Sequence, residues 1–301
     1  MIRSVCSIAV LTLAATSLSA QKPTMASMPG MHDMHHEPNA AVSATARRQI
    51  DSVAKAIGPL GAPNAATNSG FQPMFGWIPT MGVHWVARGQ LLNGRQGNTT
   101  TPSQLMFSKI GGRDSLVGAA YGYFTATADT VRPALFDGAP AWHEHPDLAP
   151  MGGTLVMLHV WFVPSPDGPF AGTNPNLPFW AVGLAAPDSV RMRDSAFKAR
   201  VYRASLALAE LVDSTSVLSR LERRPDVRAA VAPYRDSIRA VLPEFLAAQK
   251  VKDAARWDRA ATKAAAQWDA IYSAYLASAR TADGKQRIER YVAMLLGRHE
   301  H

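Results

Sequence analysis

The sequence predicts an α+β protein in which a mainly antiparallel sheet domain is followed by a helical C-terminal segment. Two observations support this prediction. Short runs rich in β-branched and aromatic residues, separated by Gly and Pro, fill much of the chain between residues 82 and 163. After Pro187, apolar residues instead recur at helical spacing. We therefore assign residues 43–187 to the sheet domain and residues 188–301 to the helical segment.

The first 42 residues are predicted to lie outside both parts. Residues 1–20 contain one positive charge, a short apolar stretch and small residues before the expected cut, as in a cleavable signal peptide. The mature protein is therefore expected to be secreted or periplasmic. Residues 21–42 combine Pro, Gly, Ser, Met and His without an apolar period, which predicts a disordered tail.

The composition restricts the chemistry. The single cysteine, Cys6, lies within the predicted signal peptide, so the mature chain would contain no thiol. Disulfides, cysteine nucleophiles and thiolate metal sites are then excluded. A bound metal would need imidazole, carboxylate or thioether ligands. No run of about 18 apolar residues follows the signal peptide, and no transmembrane segment is expected.

Gly and Pro residues mark the boundaries of the predicted helix and strands in the sheet domain. A helix is predicted from Ser43 to Ile57, because Ile50, Val53 and Ile57 share one face and Gly58 follows. Four strands are predicted at Gly82–Ala87, Gln104–Ile110, Asp114–Phe124 and Gly153–Val163, with a weaker candidate at Phe179–Leu184. Gly111-Gly112 indicates a hairpin turn between the second and third. The fourth run is apolar on both faces, as in a central strand covered on both sides.

The helical segment has a regular apolar stripe. After a first helix near residue 189, Pro225 can open another, and Pro233 and Pro243 are expected to interrupt it. The strongest helix begins near Lys252, and its apolar residues alternate in steps of four and three: Trp257, Ala261, Ala264, Trp268, Ile271 and Tyr275. Asp283-Gly284 is expected to end it before a last helix. The stripe indicates core packing rather than a cofactor site.

The basic charge is concentrated in the helical segment. Residues 189–301 contain 21 Lys and Arg against 13 Asp and Glu. In an exported protein such a basic surface can make weak contact with an anionic lipid or cell-wall surface, or it can be only a solvated face. We expect no nucleic-acid partner.

Four of the nine histidines lie in the strand-rich region, at His84, His143, His145 and His159. Alternate residues of an extended segment point to the same side, so both imidazoles of the His143-Glu144-His145 run can reach one ion. His159 lies mid-strand among apolar residues, where a buried imidazole needs a partner for each nitrogen. Together the four predict a site for a transition metal. Taken singly, each could instead be a hydrogen-bonded core histidine or part of a polar loop.

The tail gives a second indication of metal binding. Four methionines recur at every third residue, with three histidines between and beside them: Met25, Met28, Met31 and Met34 with His32, His35 and His36. Thioethers favour Cu(I), and imidazoles accept Cu(II) or zinc. The tract is similar to the flexible metal-gathering segments of exported copper-handling proteins, although a Met-rich linker can also arise without any function.

The chain from Pro79 to Pro178, roughly a third of the sequence, resembles an uncharacterised group of secreted bacterial proteins. The shared pattern comprises Met81-Gly-Val-His84-Trp, Trp142-His-x-His145 and Leu158-His-Val-Trp161, followed by Pro-Asp-Gly-Pro-Phe and Asn174-Pro. No activity is established for that group, so the resemblance implies no reaction or substrate. It does imply that the four histidines of the strand-rich region form one functional set.

These observations predict an exported transition-metal-binding protein, with copper favoured over zinc as the bound ion. A metal-dependent hydrolase or oxidoreductase is the alternative, with Glu144 or Asp147 as base. The chain has no G-x-S-x-G, H-E-x-x-H or Gly-rich phosphate loop that would name a reaction. A third interpretation is a small-molecule or surface-binding module whose apolar pocket is lined by tryptophans, namely Trp85, Trp142, Trp161 and Trp180.

Overall fold

A computed structural model describes residues 42–87, 98–125, 132–138, 142–145, 154–212 and 217–297. The predicted signal peptide and nearly all of the Met/His-rich tail lie outside the described residues. The strands are β1 (Phe71–Ile78), β2 (Gly82–Ala87), β3 (Gln104–Ile110), β4 (Arg113–Thr125), β5 (His143–His145) and β6 (Thr154–Trp161). The helices are α1 (Ala44–Ile57), α2 (Pro63–Asn68), α3 (Asn176–Ala181), α4 (Ser195–Ala209), α5 (Val217–Leu221), α6 (Pro225–Lys250), α7 (Ala254–Ser278) and α8 (Ala282–Leu295). The α+β prediction is confirmed.

The described strands form one antiparallel sheet in the order β1-β2-β3-β4-β6-β5. The four predicted strands are confirmed as β2, β3, β4 and β6. The Gly111-Gly112 hairpin is confirmed as well, because both residues have positive φ angles, 56° and 78°, which glycine adopts without steric cost.

Both faces of the sheet are covered. The first, here called the α1 face, shares an apolar core with α1. Leu105, Phe107, Tyr121, Leu158 and Val160 belong to the same buried cluster as Ile50, Val53 and Ile57 of this helix. The opposite face, here called the α3 face, includes Met106, Met157 and Trp161 and packs against Leu177 and Trp180 of α3. Strand β6 is therefore buried on both sides, as its continuous apolar run predicted.

The strand predicted at Phe179–Leu184 is wrong, because the first half of this segment belongs to helix α3 and the second half is not a strand. Its consecutive side chains Phe179 and Trp180 are both buried, but in different places. Phe179 lies in the core of the helical segment, and Trp180 lies on the α3 face of the sheet. A short run that is apolar on every side does not distinguish a buried strand from a buried helical turn.

Helix α6 runs without a break through Pro233 and Pro243, contrary to the predicted interruptions. Both prolines are exposed, on the side of the helix away from its buried residues Val231, Ile238 and Phe245. The carbonyls that lose their intrahelical donors to these prolines lie on this exposed side, where water can donate hydrogen bonds to them.

The apolar stripe of α7 is confirmed as core. Trp257, Trp268 and Tyr275 are buried, as are Ala261 and Ala264 of the stripe. The side chain of Asp253 caps the start of α7, and that of Thr281 caps α8. Asp283-Gly284 lies in the first turn of α8 rather than at the end of α7. None of the described helices combines the length and apolar character needed to span a bilayer.

Candidate metal centre

The four histidines of the sheet domain are buried on three different strands. His84 lies on β2, His143 and His145 on β5, and His159 on β6. Their exposed fractions are 3%, 4%, 7% and 0%, which is far less than a polar loop would show. A histidine is one of the more polar side chains found inside proteins, and four of them within one sheet require an explanation.

The strand register places His84 and His159 on the same face. Residues directly opposite each other in an antiparallel pair share a face of the sheet. His84 is opposite Met106, Met106 is opposite Gly118, and Gly118 is opposite Trp161. His159 precedes Trp161 by two residues, so its side chain points to the same side. Both histidines therefore lie on the α3 face.

The register also brings β5 to this face. His143 is opposite Met157, and His145 is opposite Leu155. Met157 and Leu155 alternate with His159 along β6, so all of these side chains point to one side. Glu144 lies between the two histidines and faces the other way. The prediction that His143 and His145 point to the same side of the chain is thus confirmed.

The sheet curves toward the α3 face at the histidines. Strands β3 and β4 separate His84 from His159, and at about 4.8 Å per strand a flat sheet would hold their backbones about 14 Å apart. Their Nε2 atoms are nevertheless 3.2 Å apart. The residues of β4 beneath the rings are small, because Gly118 and Ala120 occupy the positions opposite Trp161 and His159.

The four imidazoles form a continuous row. The ring centroids of His84 and His159 are 5.2 Å apart, those of His159 and His143 are 4.7 Å apart, and those of His143 and His145 are 4.8 Å apart. The first pair is tilted and the other two are edge-to-face. Each ring therefore touches the next, and the row crosses the sheet from β2 to β5.

The proton position on His159 follows from its partner. Its Nδ1 is 2.7 Å from the carbonyl oxygen of Gly172, which can only accept a hydrogen bond. Nδ1 of His159 therefore carries a proton, and in the neutral ring Nε2 has a free electron pair directed at His84. A hydrogen bond to a backbone carbonyl on one nitrogen, with the other nitrogen left to coordinate, is the usual arrangement of a metal-ligating histidine.

His84 is held neutral. Burial and, to a lesser extent, charge repulsion from His145 lower its pKa to about 3. With a neutral ring, Nε2 of His84 donates to Nε2 of His159, and Nδ1 of His84 has no hydrogen-bond partner among the described residues. A buried ring nitrogen without a partner is costly, by about 1–3 kcal/mol, unless a ligand engages this imidazole.

The row is not a preformed metal site, although Nε2 of His84 and Nε2 of His159 lie 3.2 Å apart. In the part of the chain that the structure describes, no group of three or more His, Cys, Asp or Glu side chains is arranged to hold a metal ion. A site with three imidazole ligands would need His143 or His145 to rotate about its side-chain bonds.

Of the two carboxylates predicted as a catalytic base, Glu144 is not at this site. Glu144 faces away from the histidine row and forms an ion pair with Arg132. Asp147, the other predicted base, lies outside the described residues. The tail ligands Met25, Met28, Met31, Met34, His32, His35 and His36 are likewise outside the described residues.

The four tryptophans of the proposed apolar pocket are divided between the two faces. Trp161 and Trp180 belong to the core on the α3 face. Trp85 and Trp142 pack on the α1 face, where Trp85 contacts Phe107. They do not line a common cavity.

A second buried polar cluster lies in the helical segment, where sequence reasoning had found only apolar packing. Arg235 forms ion pairs with both Glu210 and Glu222, and the hydroxyl of Tyr275 donates to Glu222. Burial raises the pKa of Glu210, although Arg235 opposes the shift. The four groups satisfy one another and leave no open position, so the cluster is a structural cross-link. Their wide spacing in the sequence gave no signal of it.

Comparisons of the chain with family models, with curated proteins and with solved structures found no match. The resemblance to a group of secreted bacterial proteins stays a prediction. The interpretation of the candidate site is therefore based on the geometry of its own residues.

Proposed function

We propose that the protein binds a transition-metal ion outside the cytoplasm, through the histidine row formed by His84, His143, His145 and His159. The observation that supports this proposal best is the gathering of four buried imidazoles, from three strands, on a single face of one sheet. Ordinary core packing does not require this, because apolar side chains would fill the same space without the cost of burying polar nitrogens.

The spacing of the central pair fits a shared ion. Two imidazole nitrogens that bind one ion at about 2.0–2.1 Å and at a tetrahedral angle are about 3.3–3.4 Å apart. Nε2 of His84 and Nε2 of His159 are 3.2 Å apart. A metal bound between them would replace the bridging proton, which would move to the free Nδ1 of His84.

The protonation state also favours metal binding. A metal binds the neutral imidazole, and the lowered pKa of His84 keeps that ring neutral at any physiological pH. The ion would therefore not have to displace a bound proton from a charged ring. The carbonyl of Gly172 holds His159 in the matching tautomer.

Copper is the favoured metal, with zinc second. The proposal combines the histidine row with the Met/His-rich tail, whose thioethers suit Cu(I) and whose imidazoles suit Cu(II) or zinc. In this interpretation the tail collects the ion and the row holds it. An enzymatic role has no comparable support, because no carboxylate of the described strands points at the row.

A substitution that removes one nitrogen and keeps the fold tests the proposal. His159→Asn retains an N–H group that can donate to the Gly172 carbonyl, but it lacks Nε2. Loaded anaerobically with Cu(I) or with Zn(II) and then desalted, the full chain is expected to retain about one more equivalent of metal than the variant.

Val160→Ala is the matched control. Val160 is the next residue of β6, is equally buried and faces the opposite side of the sheet. This variant measures the effect of a small cavity in the same strand, and it should retain the metal of the parent. Equal metal content in His159→Asn and the parent, by elemental analysis, would show that the histidine row binds no ion.

A further inference from the structure

Two methionines lie beside the histidine row, at positions that sequence reasoning did not single out. Met157 is opposite His143 in the sheet and two residues from His159 on the same face. Met106 is opposite His84. Cβ atoms of directly opposed residues are about 4.5–5.5 Å apart, within reach of a methionine side chain. Both methionines are buried, with exposed fractions of 4% and 0%.

Met106 is placed over the curved part of the sheet. Its terminal methyl carbon lies 2.5 Å from the position that a Cβ atom on Gly118 would take. Gly118 thus leaves the space that this methionine fills, on the strand beneath the rings of His84 and His159. A third methionine, Met74, is opposite His84 from the other side, on β1.

The charge of the α3 face favours a monovalent ion. The six described strands contain two carboxylates, Asp114 and Glu144. Glu144 points away from the row, and Asp114 pairs with Lys109 at the hairpin end. Imidazole and thioether ligands are neutral. A buried divalent ion would keep its full +2 charge here, and the cost of burying a charge rises with its square.

We infer that the ion held by the histidine row is Cu(I), with the thioethers of Met157 and Met106 as additional ligands. This inference rests on the proposed function and names the metal and its soft ligands. Cu(I) is monovalent and binds thioether sulfur, whereas Zn²⁺ is divalent and takes imidazole, thiolate or carboxylate ligands. Methionine has three flexible side-chain bonds, so its sulfur can reach an ion without movement of the strand.

The test compares two metals across matched variants of the full chain. Leucine has nearly the volume of methionine but no sulfur, so Met157→Leu and Met106→Leu preserve packing and remove a ligand. Cu(I) affinity is measured anaerobically against a Cu(I) chelator, and Zn²⁺ affinity against a zinc chelator. The Met/His-rich tail is present in every variant, so differences between variants belong to the sheet.

Each methionine variant is expected to bind Cu(I) roughly tenfold or more weakly and Zn²⁺ with nearly unchanged affinity. Met192→Leu is the control, since Met192 is a buried methionine of the helical core, in a different apolar cluster from Met106 and Met157. It should alter neither affinity. The copper–sulfur component of X-ray absorption should also decrease in Met157→Leu and Met106→Leu.

The outcomes separate the two proposals. If His159→Asn loses Cu(I) while Met157→Leu and Met106→Leu bind it like the parent, the thioether assignment is wrong and the histidine site stands. An equal loss of Cu(I) and Zn²⁺ affinity in the methionine variants would also overturn the thioether assignment. The loss would then come from altered packing and not from the missing sulfur. If His159→Asn keeps both metals, the proposed function and this inference fail together.

Discussion

Replacing Trp257 with Ala is expected to destabilise the protein strongly. Its ring is surrounded by three others, with centroid distances of 5.9 Å to Phe179, 5.7 Å to Phe197 and 5.4 Å to Phe245. These partners belong to α3, α4 and α6, so one side chain on α7 links three other helices. The indole is 8% exposed.

The expected cost is about 3–5 kcal/mol, as for other buried Trp→Ala changes. The upper part of this range is favoured, since each aromatic pair adds about 0.5–1.5 kcal/mol beyond the area that it buries. A loss of this size lowers the melting temperature of a chain this long by roughly 6–20 °C. Trp257→Phe keeps most ring contacts and should cost only about 1–2 kcal/mol.

Thermal melts and urea titrations of the two variants measure these losses. Leu246→Ala is the control, because Leu246 is 51% exposed and adjoins Phe245, and its change should be within about 0.5 kcal/mol. The rival idea is that α7 presents an exposed stripe for anionic lipid. Lys263 already pairs with Glu244 on α6, which argues against a free basic surface there. A Trp257→Ala variant that melts like the parent but no longer sediments with anionic vesicles would refute the core assignment.

Three further changes have defined outcomes. Deleting residues 21–42 should weaken Cu(I) uptake in chelator competition and leave the melting temperature unchanged, because the segment is predicted to bury nothing; equal uptake would contradict the role of the tail. Glu210→Gln should reduce the pH dependence of the free energy of unfolding. Because burial raises the pKa of Glu210, the parent loses stability as pH rises from about 4.3 through the raised pKa. Urea midpoints measured at about pH 4 and about pH 8 should therefore differ less in the variant than in the parent. Gly118→Ala should cost about 1–3 kcal/mol in urea titrations, because its Cβ would lie 2.5 Å from the terminal carbon of Met106 and 2.6 Å from the Val160 carbonyl oxygen; a neutral effect would mean that both Met106 and the backbone of β6 can shift away.

Local sequence patterns predicted the four strands that have a regular strand composition and clear boundaries. β2, β3, β4 and β6 each combine apolar residues of high β propensity with flanking breakers, and all four were found. β1 was missed because Pro73 and Gly76 lie inside it and its register is irregular after Met74. Because β1 is at one end of the described sheet, the missing backbone N–H of Pro73 can be tolerated there. The position of β1 in the sheet depends on tertiary structure and cannot be predicted from local sequence.

The candidate site was predictable only in part, for a similar reason. The alternation of an extended chain places His143 and His145 on one side, and this needs no knowledge of the fold. The contact between His84 and His159 depends on the order of the strands and on the curvature of the sheet, which no local pattern contains. The roles of Met106 and Met157 depend on register, since each is defined by the histidine across from it.

Helix α3 has a consequence for how the molecule unfolds. Its neighbouring side chains Phe179 and Trp180 belong to two different apolar cores, one made by the helices and one made with the sheet. Neither core can open without displacing a side chain of the other, so the sheet and the helices should melt in a single cooperative transition. Any ion that stabilises the sheet then stabilises the helices by the same free energy. If the histidine row binds an ion as proposed, thermal melts followed by the helical circular dichroism signal should report its occupancy, although the C-terminal helices contribute no proposed ligand.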